Sequence, residues 1–188
     1  MKTYKDTVAV YLGSSVGSSP EYAEMVAGLG RRLAGNGHRV VYGGANVGLM
    51  KILADAVLEA DGQIVGVLPV GFGGKREVQA QKVNIVKDGL TEMIWVKDFA
   101  ERKATMENLS DCALVLPGGF GSMDELFCYA VGNEIALHDK IAYVLDFNGY
   151  YEGLRTQISH MKREGFLPSD SDCIRFATSI DELMEMLG

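Results

Sequence analysis

The sequence has few of the residues on which disulfide-bonded and metal-binding domains depend. Its 188 residues include three cysteines and three histidines. Neither set shows the paired spacing of zinc ligands, and an odd number of cysteines does not suit a disulfide framework. We therefore expect no metal ion and no disulfide, and we expect reduced cysteines that serve mainly as packing residues.

Long apolar runs and an excess of positive charge are also missing. No stretch approaches the roughly 20 apolar residues that a membrane helix needs, and residues 1–6 lack the apolar core of a signal peptide. With 18 basic and 25 acidic side chains, the formal net charge is −7. A protein that binds nucleic acid through a basic face needs the opposite balance. We expect a cytoplasmic protein that binds neither membrane nor nucleic acid.

The residues that are present predict a single α/β domain over 1–188. Hydrophobic residues make up 47% of the chain, enough for one core at this length. Short runs rich in Val, Ile and Leu predict buried strands at 7–12, 39–42, 64–68, 93–96, 112–116 and 141–145. Amphipathic stretches between them predict helices at 22–35, 49–61, 100–110, 122–137, 151–164 and 180–187. This alternation predicts a doubly wound parallel sheet with helices on both faces.

Three glycine loops follow predicted strands and lead into predicted helices. They contain Gly13 and Ser14, then Gly43 and Gly44, then residues 117–122. Backbone amides in such loops, together with the helix N-terminus behind them, hold phosphate. One loop alone is equally well a tight strand-to-helix turn. Three loops at the carboxyl edge of one sheet favour a small phosphate-bearing ligand, although neither the Walker pattern nor the dinucleotide fingerprint is present.

Charged side chains near the third loop have two interpretations. Glu125 falls one helical turn after Gly121-Ser122, which predicts a carboxylate on the first turn of the helix, beside the anion site. There it can orient water or face a developing cation. Alternatively, Asp124 and Glu125 only complement the helix dipole. Arg102 offers a planar donor to phosphate or carboxylate, but taken alone its segment is typical of a solvated helix face.

One further segment stands out as irregular. Residues 70–82 are glycine-rich and basic and form the longest predicted connection. Long connections in compact domains are often binding loops, but a mobile surface loop is an equally good interpretation.

Residues 117–125 read Pro-Gly-Gly-Phe-Gly-Ser-Met-Asp-Glu. This string closely resembles the Pro-Gly-Gly-x-Gly-Thr-x-x-Glu signature of the LOG (lonely guy) family. These are cytokinin riboside 5′-monophosphate phosphoribohydrolases, formerly described as lysine decarboxylases. Residues 13–15, 41–50 and 101–106 resemble further family segments, and His138, Lys140 and residues 148–151 resemble later landmarks. The resemblance runs from about residue 8 to residue 166.

The resemblance implies a Rossmann-like fold and a particular reaction, with a defined substrate class and defined products. The family cleaves the N-glycosidic bond of an adenine-type nucleoside 5′-monophosphate, releases the base and ribose 5-phosphate, and usually forms dimers. It implies no metal and no organic cofactor. Carried over by motif, Arg102 and Glu125 are the catalytic pair. Nucleotide contacts are implied for these two and for Glu77, Lys103, Gly118, Gly119, Phe120, Gly121, Ser122, Met123 and Asp124.

The chain departs from the family pattern at four places. Ser122 replaces Thr, Lys51 replaces a common Gly, Phe99-Ala100 replaces Met-His, and residues 131–134 replace a Thr-Trp-x-Gln segment. Two alternatives remain open on the residues: a nucleosidase of broad specificity for nucleoside 5′-monophosphates, and a nucleotide-binding module without catalysis. Lysine decarboxylation is disfavoured because no residue is identified as a pyridoxal phosphate lysine or its ring-nitrogen partner.

Overall fold

The computed structural model describes residues 6–70 and 91–188. Within these ranges seven strands pair in parallel in one sheet of order β4-β3-β2-β1-β5-β6-β7. The strands are β1 (Thr7–Tyr11), β2 (Arg39–Tyr42), β3 (Gln63–Pro69), β4 (Thr91–Val96), β5 (Cys112–Val115), β6 (Ala142–Leu145) and β7 (Ile174–Ala177). The predicted doubly wound α/β sheet is confirmed.

Helices alternate with the strands. They are α1 (Pro20–Gly35), α2 (Gly48–Glu59), α3 (Phe99–Leu109), α4 (Phe120–Glu134), α5 (Glu152–Arg163) and α6 (Ile180–Leu187). All six predicted helices are present, with ends shifted by at most three residues. Among the helices of the described ranges, none has the length and apolarity needed to span a bilayer.

The central strand β1 shows why the strand segments read as continuous apolar runs. Val8 and Val10 belong to the core formed with α1 and α2. Ala9 and Tyr11 belong to the core on the opposite face, formed with α3 and α4. Successive side chains of a strand point to opposite faces, so a strand covered on both faces needs apolar residues at every position.

The seventh strand is missing from the sequence prediction. β7 lies at the edge of the sheet, where it pairs with β6. It has four residues, Ile-Arg-Phe-Ala, of which Arg175 is exposed. A short, half-exposed edge strand lacks the continuous apolar run by which the inner strands are recognised.

The strand order places a crevice at the centre of the sheet. The chain proceeds from β1 outward to β2, β3 and β4, then returns to the other side of β1 at β5. In sheets of this kind ligands bind beyond the carboxyl ends of the strands, where the order reverses. The loops after β1, β2 and β5 are the three glycine loops, so all three meet at this crevice.

Candidate active site

A cavity of about 620 Å³ opens at this crevice. Its volume falls in the range of small-molecule sites. It is lined by parts of all three glycine loops and by side chains of neighbouring elements: Leu12, Gly13, Ser14, Ser15, Gly43, Ala45, Val47, Met50, Leu68, Phe99, Arg102, Gly119, Phe120, Gly121, Ser122 and Glu125. A second cavity of about 250 Å³ adjoins it and shares Gly13, Ser14, Ser15 and Gly119 with it.

Several of the glycines are needed for packing between the loops. The amide of Gly13 donates to the carbonyl of Pro117 at 3.1 Å, which joins the first loop to the third. A Cβ atom at Gly118 would overlap the Ser122 side chain, and one at Gly48 would overlap the backbone of Ser14. The turn interpretation therefore holds for part of the glycine content, because the loops must approach one another closely.

The two helices that begin at the cavity lack side-chain caps. The N-cap residues of α2 and α4 are Val47 and Gly119, and neither makes a capping hydrogen bond through a side chain. By contrast, α1, α3 and α6 are capped by the side chains of Ser19, Asp98 and Ser179, while α5, which begins outside the larger cavity, also lacks a side-chain cap. An uncapped helix start leaves free N–H donors and a partial positive charge. Both helix starts therefore offer the cavity an anion site.

Arg102 and Glu125 form a buried ion pair in the cavity wall. Arg102 Nη1 lies 2.6 Å from Glu125 Oε1, and their side chains are 13% and 9% exposed. Arg102 Nε also donates to the carbonyl of Val67 at 3.1 Å. Space for the guanidinium exists because residue 43 is glycine: a Cβ there would overlap Arg102 Nη2. The guanidinium is thus held by a carboxylate, a carbonyl and a glycine.

Two sequence expectations about this pair are wrong. Glu125 does not lie on the first turn of its helix, because α4 begins at Phe120 and has no acidic residue in its first turn. Its carboxylate is buried, so it does not serve as an exposed complement to the helix dipole. Arg102 does not lie on a solvated face, since α3 directs it inward to Glu125 and Val67.

Burial sets the electrostatics of the pair. It raises the pKa of the Glu125 carboxyl above its ordinary value, and the Arg102 guanidinium offsets part of that increase. Tyr11, which is buried nearby, has a raised phenol pKa, first because of burial and second because of the Glu125 charge. A buried carboxyl whose pKa is shifted by burial and by a specific charged partner is typical of catalytic sites.

Comparison with known proteins identifies the family. The sequence matches the family described as "Possible lysine decarboxylase" over residues 50–187. It is 38% identical over 161 residues to a cytokinin riboside 5′-monophosphate phosphoribohydrolase of Rhodococcoides fascians, covering 86% of this chain and 78% of that protein. The chain belongs to the LOG family. It is also 34% identical over 181 residues to the phosphoribohydrolase LOG5 of Arabidopsis thaliana, covering 96% of this chain and 76% of that protein.

The fold extends beyond the LOG family. The molybdenum cofactor carrier protein of Chlamydomonas reinhardtii superposes with a TM-score of 0.66 over 97% of this chain and 96% of its own, at 17% sequence identity. At that identity the likeness shows the fold alone.

The described LOG motif residues fall into three groups: those that line the larger cavity, those that line the smaller one, and those that line neither. Gly119, Phe120, Gly121 and Ser122 line the larger cavity together with the Arg102–Glu125 pair. Gly118 lines the smaller cavity. Lys103, Met123, Asp124 and Gly44 line neither cavity, and Glu77 lies outside the described residues.

Lys103 and Asp124 form a second ion pair beside the first. Lys103 Nζ lies 2.9 Å from both carboxylate oxygens of Asp124 and 3.1 Å from the Cys128 sulfur. Since Cys128 is exposed on α4, the expectation that the cysteines serve mainly as packing residues is wrong for this one. Cys173 is buried and Cys112 is half-buried. Together the two ion pairs join α3 to α4.

Sequence reasoning missed the apolar wall of the cavity. Leu12, Val47, Met50 and Leu68 line it, as does Phe99, which is 47% exposed. In the sequence, Phe99 stands out only because it departs from the LOG pattern. Its position one helical turn before Arg102 puts both residues on one face of α3, and this spacing could have identified Phe99 as a residue of the site.

The structure also explains part of the departure from the LOG pattern at residues 131–134. Where the LOG pattern has Trp, this chain has Gly132, and a Cβ at that position would lie 2.5 Å from His138 Nε2. The imidazole of His138 packs beside Tyr129, with ring centroids 5.1 Å apart. Small size at residue 132 thus makes room for His138. Among the described residues, no group of three or more His, Cys, Asp or Glu side chains could hold a metal ion.

Proposed function

We propose that this LOG-family enzyme hydrolyses the N-glycosidic bond of an adenine-type nucleoside 5′-monophosphate. The products are the free base and ribose 5-phosphate. One observation carries the proposal: the buried Arg102–Glu125 pair and the uncapped start of α4 line the same cavity. An anion site next to a carboxylate is what a phosphorylated sugar with a cleavable anomeric bond requires.

The free amides at the start of α4 are the groups that would bind the 5′-phosphate. Within the described chain, the amides of residues 120–122 make no hydrogen bond to protein, and the Ser122 hydroxyl also borders the cavity. Charge-assisted hydrogen bonds from amides to phosphate are stronger than neutral ones. Fixing the phosphate there holds the sugar across the cavity wall that contains Glu125.

Glu125 supplies the charge for bond cleavage. Its carboxylate accepts a proton from water while the water oxygen bonds to the anomeric carbon. The bond to the base nitrogen breaks, and the base leaves with the bonding electron pair and takes up a proton from bulk water, to which Glu125 afterwards releases the proton that it accepted. The oxocarbenium-like sugar that develops between these events is stabilised by the carboxylate charge. Arg102 lowers the pKa of the buried Glu125 carboxyl, which favours its ionised form, and fixes its direction.

A substrate panel tests the reaction and its specificity. AMP, IMP, GMP, CMP and isopentenyl-AMP are incubated with the enzyme, and free base and ribose 5-phosphate are measured. We expect AMP or its N6-modified relative to be cleaved fastest. Equal rates for all bases would instead support the broad-specificity nucleosidase, and binding without any base release would support the non-catalytic module.

Adenosine tests the phosphate site. It presents the same base and sugar without the phosphate, and charge-assisted hydrogen bonds are worth roughly 1.5–3 kcal/mol each. Losing two or more should lower kcat/KM by at least about 100-fold relative to AMP. Cleavage of adenosine as fast as AMP would mean that the third glycine loop is only a strand-to-helix turn.

A second copy of the chain is the proposed partner. Phe127 and Val131 lie on one exposed face of α4, and Ile135, the C-cap residue of the helix, and Leu137, 74% exposed, follow them. An apolar strip of this kind is typical of an interface. The mass in solution measured by light scattering should therefore be that of a homodimer or a higher homo-oligomer, and Val131→Lys should shift it toward the monomer. A monomeric wild-type protein would contradict this part of the proposal.

The cytoplasm is the proposed compartment. All three cysteines are free, and Cys128 is exposed. Free exposed thiols persist where the surroundings are reducing. Cell fractionation should recover the protein with cytoplasmic markers, whereas recovery in a secreted fraction would contradict this assignment.

A further inference from the structure

Two consecutive tyrosines hold the loop that begins α4. The Tyr150 hydroxyl donates to the carbonyl of Gly118 at 2.6 Å, and the Tyr151 hydroxyl donates to the carbonyl of Leu116 at 2.7 Å. Both come from the segment between β6 and α5. Tyr151 is 3% exposed, whereas Tyr150 is 45% exposed and lines the smaller cavity.

The tyrosines complete a set of hydrogen bonds that fixes every peptide of this loop. All four carbonyls of residues 116–119 accept a hydrogen bond. Those from Tyr150 and Tyr151 alternate with two from amides: Gly13 donates to the second carbonyl at 3.1 Å, and Met123 donates to the fourth at 3.2 Å. The described chain contains no cis peptide. In a trans peptide the N–H points opposite to the C=O, so fixing each carbonyl also fixes the direction of the amide that follows.

The peptide between Gly118 and Gly119 depends most on its tyrosine. It has glycine on both sides, so a flip of this peptide meets little steric resistance. Gly118 must be glycine, because a Cβ there would overlap the Ser122 side chain, whereas Gly119 has no atom within 4 Å of its ideal Cβ position. The Tyr150 hydroxyl is thus the group that holds this carbonyl, and through it the N–H of Gly119, in one direction.

The backbone that carries the tyrosines is itself anchored. Asp146 is 8% exposed, and its Oδ1 accepts a hydrogen bond from the Tyr151 amide at 2.6 Å. Its Oδ2 lies 3.2 Å from Arg155 Nη2. The end of β6 and the start of α5 therefore hold the tyrosine pair in place against the loop.

We propose that Tyr150 is a positioning residue that aims the Gly119 N–H at the substrate phosphate. It thereby contributes part of the preference for phosphorylated over unphosphorylated nucleosides. The identity of the ligand rests on the proposed function, but the claim that Tyr150 prepares an anion site does not. Gly119 borders both cavities, so its amide lies where the anion site of α4 begins.

The test removes one hydroxyl. Tyr150→Phe keeps the ring and deletes the hydrogen bond to Gly118. We expect the KM for AMP to rise roughly three- to tenfold with kcat little changed, because the binding free energy of one hydrogen bond to the phosphate is lost. Protection against thermal unfolding by inorganic phosphate should weaken by a similar factor in apparent affinity. The kcat/KM for adenosine should not change, since adenosine has no phosphate.

Two further variants show whether the effect is merely structural. Tyr151→Phe leaves the buried Leu116 carbonyl without its donor and should lower the unfolding temperature by about 2–4 °C. Tyr150→Phe should not, because Tyr150 is half exposed. Tyr143→Phe removes a hydroxyl from β6, away from both cavities, and serves as the matched control with wild-type phosphate protection.

Two results would overturn the inference. One is unchanged phosphate protection and an unchanged KM for AMP in Tyr150→Phe. The other is an equal loss for AMP and adenosine, which would show that Tyr150 does not act on the phosphate site. If the wild type cleaves no nucleotide, the proposed function fails, but the comparison of phosphate protection still decides the role of Tyr150.

Discussion

Gly43→Ala should disable the enzyme without unfolding it. The Cβ of alanine would overlap Arg102 Nη2 and lie 3.1 Å from Arg102 Cζ and from Met50 Sδ. The overlapping atom is the far end of a flexible side chain, so the guanidinium moves and the backbone remains. It must retreat by roughly 1 Å, and a misplacement of that size costs about 100-fold in rate. We therefore expect kcat/KM for AMP to fall by about 100-fold, or about 2.7 kcal/mol in transition-state stabilisation.

The pH profile of this variant distinguishes a displaced arginine from general damage. In the wild type, burial raises the pKa of Glu125 and Arg102 lowers it, with a net increase. In the proposed mechanism the active form is the carboxylate, so we expect activity to fall as the pH decreases through that raised pKa. When Arg102 moves away, its lowering effect is lost, and the acid limb of kcat/KM should shift to higher pH.

A matched glycine replacement provides the control. An alanine Cβ at Gly28 in α1 would lie 3.7 Å from Ile180 Cδ1, an ordinary contact. Gly28→Ala should keep wild-type kinetics and the wild-type pH profile. If Gly43→Ala did the same, the close packing of Arg102 against the second glycine loop would have no part in catalysis.

Two further substitutions test neighbouring parts of the site. Gly119→Val should fold normally, because residue 119 has a φ of −94° and no atom within 4 Å of its Cβ position. It should nevertheless weaken AMP binding, because the larger side chain blocks close approach to the loop amides. The KM for AMP should rise while the unfolding temperature stays unchanged. Unchanged AMP binding would mean that the phosphate does not bind at this loop. Arg102→Ala should lower kcat and raise the KM for AMP in steady-state assays, and wild-type kinetics in that variant would remove Arg102 from the site.

The sequence was sufficient to predict six of the seven strands and all six helices of the described ranges. Continuous Val, Ile and Leu runs identify β1, β2, β3, β5 and β6 because these strands lie inside the sheet, which is covered on both faces. β7 was not predicted, because it has only four residues, lies at an edge of the sheet and is interrupted by the exposed Arg175. The other edge strand, β4, was predicted because its apolar run continues over residues 93–96. An edge strand without such a run, like β7, is specified mainly by the neighbour against which it pairs.

The Arg102–Glu125 pair shows what local sequence patterns do not predict. The segment around Arg102 reads as a solvated helix face because charged residues flank it. Its burial depends on the small size of Gly43 and on the Val67 carbonyl, both distant in sequence. Likewise, α4 starts at Phe120, two residues before the predicted position, because Gly119 takes an extended N-cap conformation. That shift moves Glu125 from the first turn to the second, and into the protein.

Glu125→Gln is the most direct test of the proposed chemistry. The amide keeps the size of the side chain and can still accept a hydrogen bond from Arg102, but it carries no charge to activate water or to stabilise an oxocarbenium-like sugar. The measurement is release of free base from AMP by purified variant and wild type, with AMP affinity determined separately by calorimetry. The account predicts a loss in kcat of about 100-fold or more with AMP binding largely retained. Turnover at the wild-type rate in Glu125→Gln would contradict it.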